Sequence, residues 1–187
     1  MSTELRLGAT LLLPLLFTAC SSWPPARSCS CASAQPLEPV SWSQQGTELL
    51  FVRGDTVMAV FEGVQRVEEV DITGDSHKEL VVLWAPGEEP DARRIWVVRP
   101  TPHGVQPVWR GSAMSAPVQD FRLVHTPQAT CLITLERPAR GPQAVVYRWT
   151  GFGFGTDPTD RIHTSDPQGT AWSVRCFGND ALVEFGL

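Results

Sequence analysis

Short runs of β-branched and aromatic residues alternate with turn-forming residues along most of the chain. The run at 79–84 is followed, after a turn rich in Pro, Gly and charge, by a second run at 94–99. About fifty residues later the runs at 130–135 and 144–149 repeat this arrangement, and 181–185 repeats the first strand once more. Runs of this length and composition are typical of β-strands. The pattern therefore predicts an all-β domain.

The spacing of these runs adds a repeat to the prediction. A period near fifty residues built of short strands predicts a propeller-like array of short antiparallel sheets with about three to four repeat units. Three units are recognisable, and the hairpin formed by 48–52 and 56–61 is the candidate for the missing partner of the last strand, 181–185. Pairing of this hairpin with the last strand would close the ring and remove free sheet edges. The alternative is a β-sandwich whose similar hairpins only mimic repetition.

The first twenty residues differ from the rest. An apolar run from Leu7 to Ala19 follows Arg6 and ends at Cys20. It has the length of a signal-peptide core and is shorter than the ~20 residues of a membrane-spanning helix. The segment Leu16-Phe17-Thr18-Ala19-Cys20 resembles the lipobox of bacterial lipoproteins, in which small residues precede the cysteine. This resemblance implies cleavage before Cys20 and acylation of its thiol and new amino group. It also implies an extracytoplasmic location, in the outer membrane if the cell has two membranes.

Two other interpretations of this end of the chain remain open. Ordinary signal peptidase could cleave after the Ala32-Ser33-Ala34 site, or the apolar run could stay uncleaved as an anchor. On the lipoprotein interpretation, residues 1–19 are the signal peptide and 20–40 are a flexible tether rich in Ser, Pro and Ala. Residues 41–187 are then the folded repeat domain.

Composition limits both the kind of partner and the kind of secondary structure that we expect. The formal net charge is −5, which argues against a nucleic-acid partner. Sixteen Pro and fifteen Gly interrupt the chain too often for long helices. Seven Trp and eight Phe make the apolar set rich in large aromatic side chains.

One motif precedes the first repeat strand. Oxygen-bearing side chains stand at positions 1, 3, 5 and 9 of the segment 71–81. They belong to Asp71, Thr73, Asp75 and Glu79. This spacing lets a tight loop turn several oxygens toward a hard cation.

The same segment resembles the calcium loop of the FG-GAP/VCBS repeat, which occurs in integrin-type propellers and many exported bacterial proteins. Asp71, Asp75 and Glu79 match its pattern, and the apolar strand follows directly. The resemblance implies a Ca²⁺ site. Thr73 replaces a stronger ligand, and Ser76 replaces the glycine that eases the turn. A simple Asp/Gly turn that caps a hairpin is the alternative.

The cysteines suggest one covalent link. Cys20 is assigned to the lipid, and Cys29 and Cys31 lie in the predicted tether. Cys131 and Cys176 lie on predicted strands, and an oxidising compartment favours a disulfide between them. The alternative is two buried free thiols that pack as small hydrophobic groups.

Trp149, Phe152 and Phe154 form an aromatic-turn-aromatic segment. They are candidates for a platform on which a sugar ring stacks, and core packing is the alternative. The four histidines stand alone in the sequence, with no zinc-binding His-Glu-x-x-His run and no Gly-x-Ser-x-Gly elbow. We therefore expect no catalytic activity.

Together these features predict a lipid-anchored extracytoplasmic module that binds other molecules or has a structural role in the bacterial envelope. Its expected partners are membrane lipid, through acylated Cys20, and an envelope protein or glycan. The alternative is an envelope hydrolase or a carbohydrate-binding protein that uses the aromatic-rich surface.

Overall fold

A computed structural model describes residues 38–85, 87, 92–111, 114–165 and 171–185. The described residues form β-strands joined by turns and short loops. The strands are β1 (Ser41–Gln45), β2 (Glu48–Arg53), β3 (Thr56–Glu62), β4 (Val64–Val70), β5 (Glu79–Trp84), β6 (Arg94–Thr101), β7 (Gly104–Trp109), β8 (Val118–His125), β9 (Thr130–Glu136), β10 (Gln143–Trp149), β11 (Phe154–Gly155), β12 (Arg161–Ser165), β13 (Ala171–Cys176) and β14 (Asn179–Glu184). This part of the chain contains no helix long and apolar enough to cross a membrane. The predicted signal peptide, Cys20 and nearly all of the predicted tether lie outside the described residues.

The strands form four antiparallel sheets that follow one another along the chain. Sheet 1 contains β1–β3, sheet 2 contains β4–β7, sheet 3 contains β8–β11 and sheet 4 contains β12–β14. In each sheet the strands pair in sequence order, so every connection within a sheet is a turn or loop between neighbours. The predicted all-β array of short antiparallel sheets is confirmed, and the N-terminal hairpin belongs to the first of the four.

The ring-closing pairing suggested by the sequence is not observed. Among the described strands, β14 pairs with β13 and the N-terminal hairpin pairs with β1. Sheets 1 and 4 are therefore separate sheets rather than halves of a shared one.

Consecutive sheets pack face to face through apolar clusters. One cluster joins sheets 1 and 2, a second joins sheets 2 and 3, and a third joins sheets 3 and 4. On β5, Leu80 and Val82 contact the first cluster, whereas Val81 and Leu83 contact the second. Successive strand residues point to opposite faces, so a strand covered on both sides must be apolar throughout. This explains the uninterrupted apolar run of β5 and the nearly continuous one of β9, in which Thr134 is the polar exception.

Gly63 connects sheet 1 to sheet 2. Its φ of +78° lies in the left-handed region, and its carbonyl oxygen accepts a hydrogen bond from the Ala85 N–H at 2.8 Å. A Cβ atom at this position would collide with the Ala85 carbonyl oxygen. Glycine is required here because the backbone that enters β4 runs directly against the backbone that leaves β5.

Candidate functional site

Three connections meet at one end of sheets 2–4. They are the loop between β4 and β5, the loop between β8 and β9, and the turn that follows β13. Together with the end of β10 they line a half-open cavity of about 280 Å³. Its walls include Asp71 and Thr73 from the first loop, His125 at the end of β8, and the aromatic rings of Trp149 and Phe177. The structure thus brings part of the predicted calcium loop next to one of the predicted ligand-binding aromatics.

Asp71 closes the loop between β4 and β5 by accepting backbone hydrogen bonds. Its Oδ1 accepts from the N–H groups of Gly74 at 2.7 Å and Asp75 at 3.2 Å, and its Oδ2 accepts from Ser76 at 2.8 Å. Gly74 and Ser76 have φ values of 77° and 68°, so the chain turns through the left-handed region twice. Ser76 therefore adopts this conformation without the usual glycine. The carboxylate acts as the cap of a tight turn.

Glu79, the first residue of β5, is fully buried. Its Oε2 accepts hydrogen bonds from the N–H groups of Ile72 at 3.1 Å and Thr73 at 3.4 Å. Its Oε1 accepts from Nε of Arg99 at 2.8 Å, and Nη2 of Arg99 also contacts it. A buried carboxylate is tolerated only when charge and hydrogen bonds compensate for lost water, and Arg99 supplies the charge.

Arg99 lies on β6. Leu80 pairs with Val98 in the β5–β6 register, and extending this register by one residue places Arg99 opposite Glu79. Its Nη2 also donates to Oδ2 of Asp75 at 2.7 Å and to Oγ1 of Thr73 at 3.2 Å. Burial alone would lower the pKa of Arg99, but the hydrogen bonds to Glu79 and Asp75 outweigh it and raise that pKa. The pKa of Asp75 is lowered to about 2, first by the His77 backbone N–H and then by Arg99.

Three of the four predicted calcium ligands therefore surround a guanidinium group. Asp75, Thr73 and Glu79 all contact Arg99, while Asp71 bonds to the backbone. A positive charge already lies among the oxygens that would bind a divalent ion, and it would repel such an ion. With Arg99 in this position, the loop residues do not fit a Ca²⁺ site.

Sheet 3 has different residues at the corresponding positions. The β9–β10 register extended by one residue puts Trp149 opposite Thr130, where sheet 2 has Arg99 opposite Glu79. Oγ1 of Thr130 lies 3.0 Å from Nδ1 of His125. Both Thr130 and Trp149 line the cavity. The ion pair of sheet 2 is thus replaced by a hydroxyl group and an aromatic ring.

The three predicted ligand-binding aromatics do not form one platform. Phe154 packs edge-to-face between Trp109 and Trp149, with ring centroids 5.1 and 5.4 Å apart, and contacts the cluster between sheets 2 and 3. Phe152 is 86% exposed and does not line the cavity. Only Trp149 presents a partly exposed ring to it.

Cys131 on β9 and Cys176 on β13 are joined as a disulfide, with Cα atoms 6.5 Å apart. The bridge connects sheets 3 and 4. The carboxylate of Asp160 lies beside it, and the three groups fall within 4.8 Å of one another. Asp160, whose side chain is 1% exposed, pairs with Arg148 and accepts the Phe177 N–H at 3.1 Å. Because the sulfurs bond to each other and the carboxylate to Arg148, this group is not a metal ligand set as it stands.

Sequence reasoning missed two buried polar groups. The first is the pair of Glu79 and Arg99. The sequence did contain an indication of it, because pairing the predicted strands 79–84 and 94–99 as a hairpin places Arg99 opposite Glu79.

The second group is centred on Glu136, which is fully buried. It accepts hydrogen bonds from Oγ1 of Thr134 and the Tyr147 hydroxyl, both at 2.8 Å, and from Oγ of Ser115. Ser115 lies in the connection between sheets, so no strand pattern could have placed it there.

Comparison with known proteins adds no relative. No protein-family model, curated protein or solved structure matches this chain.

Proposed function

We propose that this chain is a non-catalytic binding module of the bacterial envelope that holds a glycan in the cavity between sheets 2, 3 and 4. The cavity carries the proposal because aromatic and polar residues line the same concave surface. Ligand sites in proteins are typically concave, mostly apolar and furnished with a few oriented polar groups. The ligand must therefore offer both an apolar face and hydrogen-bonding groups.

A sugar ring has this mixed chemistry. Its C–H face packs on an aromatic ring, and its hydroxyl groups both donate and accept hydrogen bonds. The aromatic residues Trp149 and Phe177 line the cavity, and so do the polar residues Thr73, Thr126 and Gln128. The side chains of these three polar residues already bond within the chain, and their remaining hydrogen-bonding capacity is what a sugar would use. An indole ring also loses little conformational entropy on binding, because its contacts limit its motion already. Edge-to-face contact with Phe154 holds Trp149 in place.

The carboxylate of Asp71, which lines the cavity, is engaged in holding its loop. It accepts three backbone N–H groups, which occupy both of its oxygen atoms. A general acid or base must instead be free to exchange a proton with substrate. This arrangement favours binding over the alternative of an envelope hydrolase.

Membrane attachment through acylated Cys20 forms part of the proposal and rests on the sequence. It is tested by growing cells with labelled palmitate, where the native chain and a Cys29→Ala control should both carry label. Cys20→Ala should lose the label and leave the membrane fraction. Label retained by Cys20→Ala would overturn the assignment.

The ligand proposal is tested with muropeptides and envelope oligosaccharides, by following tryptophan fluorescence of the detergent-solubilised chain. Trp149→Ala should weaken binding at least about tenfold, equivalent to ~1.4 kcal/mol. Phe152→Ala removes an equally aromatic, exposed neighbour outside the cavity and should leave the affinity unchanged. A chain that binds none of these glycans but retains an envelope protein in a Trp149-dependent manner would overturn the glycan in favour of a protein ligand.

A further inference from the structure

The loop that borders the cavity has the side chains of a cation site and already contains a cation. Asp75, Thr73 and Glu79 direct oxygen atoms at one point, and the guanidinium of Arg99 lies at that point. Arg99 comes from β6, twenty residues after Glu79, so the loop sequence itself does not reveal it. The geometry concerns the loop alone and does not depend on the proposed glycan.

We propose that the guanidinium of Arg99 is the resident cation of the 71–79 loop and takes the place of a divalent metal ion. On this view the native chain does not bind Ca²⁺ in the loop. Removal of Arg99 leaves Asp75 and Glu79 facing each other without a counter-ion, and the loop then requires an added cation.

Donor geometry supports this assignment. A guanidinium offers five N–H donors in a fixed plane and can serve several oxygens at once. Here Nε and Nη2 serve two carboxylates and one hydroxyl. Ca²⁺ would need six to eight oxygen ligands at about 2.3–2.6 Å. Both oxygens of Asp71 and one oxygen of Glu79 already accept backbone N–H groups, which leaves too few oxygens for calcium beside Arg99.

An arginine of the neighbouring sheet also serves two carboxylates, although it stands one residue before the position that corresponds to Arg99. Arg148 on β10, the third strand of sheet 3 as β6 is of sheet 2, pairs with Asp157 at 3.0 Å and with Asp160. Its Nη2 also lies 3.4 Å from Oγ1 of Thr159. Two carboxylates and one threonine thus surround an arginine in both sheets. In sheets 2 and 3 the third strand thus supplies an arginine that neutralises buried or half-buried carboxylates.

The experiment compares thermal unfolding of the full chain in a chelator with unfolding in about 5 mM CaCl₂, enough to load a weak extracellular-type site. The native chain should unfold at the same temperature in both buffers. Arg99→Ala should melt roughly 6–12 °C lower in chelator, as expected for a broken buried ion pair. Calcium should recover much of this loss in Arg99→Ala, and MgCl₂ should recover less because Mg²⁺ requires stricter geometry.

The controls separate a specific site from general salt effects. Arg99→Ala combined with Glu79→Gln should not respond to calcium, and Arg99→Lys, which keeps the charge, should respond as little as the native chain. An Arg99→Ala chain that folds but ignores calcium would overturn the proposal. If Arg99→Ala folds in neither buffer, calorimetric titration of calcium into the native chain decides the matter. No heat of binding supports the resident arginine, whereas saturable binding that Asp75→Asn abolishes overturns it.

Discussion

Glu79 and Arg99 face each other across the β5–β6 pair, and the guanidinium covers a carboxylate that solvent does not reach. The Glu79 side chain is 0% exposed and that of Arg99 is 22% exposed, with Nε and Oε1 2.8 Å apart. Through Thr73 and Asp75 the same guanidinium holds the loop that precedes β5. This pair therefore determines the position of one wall of the cavity.

Replacing Glu79 by Gln should destabilise the chain strongly in the absence of any metal. The change leaves Arg99 without its buried counter-charge, and breaking one partner of such a pair costs about 3–5 kcal/mol. Glu69→Gln is the matched control, because Glu69 pairs with Lys78 at 3.2 Å where both side chains are solvent-accessible. It should cost less than about 1 kcal/mol. Urea unfolding measures both, and equal effects would contradict a special role for Glu79.

Gly63→Ala should disrupt the backbone pairing between the residue that enters β4 and the residue that leaves β5. The residue has φ +78°, and an added Cβ would collide with the Ala85 carbonyl oxygen. We expect a loss of roughly 3 kcal/mol or more, since left-handed alanine costs about 1–2 kcal/mol before the collision is counted. Gly46 has φ +59°, and a Cβ atom added there would meet no other atom within 4 Å. Gly46→Ala should therefore show the cost of the left-handed conformation alone. Urea midpoints that coincide for the two variants would rule out the collision.

Loss of the Cys131–Cys176 bridge should lower stability through the unfolded state. The two cysteines are separated by 45 residues, and closing a loop of that length is worth about 4 kcal/mol. Cys131→Ser combined with Cys176→Ser should show this loss, and a reducing agent should produce the same loss in the native chain. The double variant should then be insensitive to reducing agent. Non-reducing peptide mapping that finds both thiols free to react would contradict the bridge.

Tyr147 should resist ionisation in the folded chain. Burial is the main cause that raises its pKa above 10.0, and the nearby charge and hydrogen bond of Glu136 act in the same direction. The chain has one tyrosine, so ultraviolet absorbance of tyrosinate reports Tyr147 alone. Absorbance should rise only above the pH at which unfolded chain ionises. Because the folded pKa is the higher one, its contribution to stability is complete below about pH 10 and is lost as pH rises through the folded value.

Tyr147→Phe removes the hydroxyl that donates to Glu136 and accepts the Ser115 N–H at 3.1 Å. Any alkaline loss of stability that persists unchanged in this variant must come from another group. Such a result would contradict the assignment to Tyr147.

The sequence by itself determined the fold class and the strands near the site. Its apolar runs gave the bounds of β5 to within a residue and placed β6, β9 and β10 closely, because strands buried on both faces must be apolar along their whole length. It also marked 71–79 as a loop with several oxygen ligands. The prediction that the N-terminal hairpin pairs with the last strand is wrong for the described strands. A period of similar hairpins carries no information about which sheet edges meet.

Only the tertiary structure decided what occupies that loop and what lies beside it. Arg99 reaches Thr73 and Asp75 across more than twenty residues of sequence, and Trp149 reaches the cavity from another sheet. Spacing within a loop records which oxygens are available. Strand pairing and sheet packing determine which charged group lies beside these oxygens, because they bring together residues that are distant in the chain.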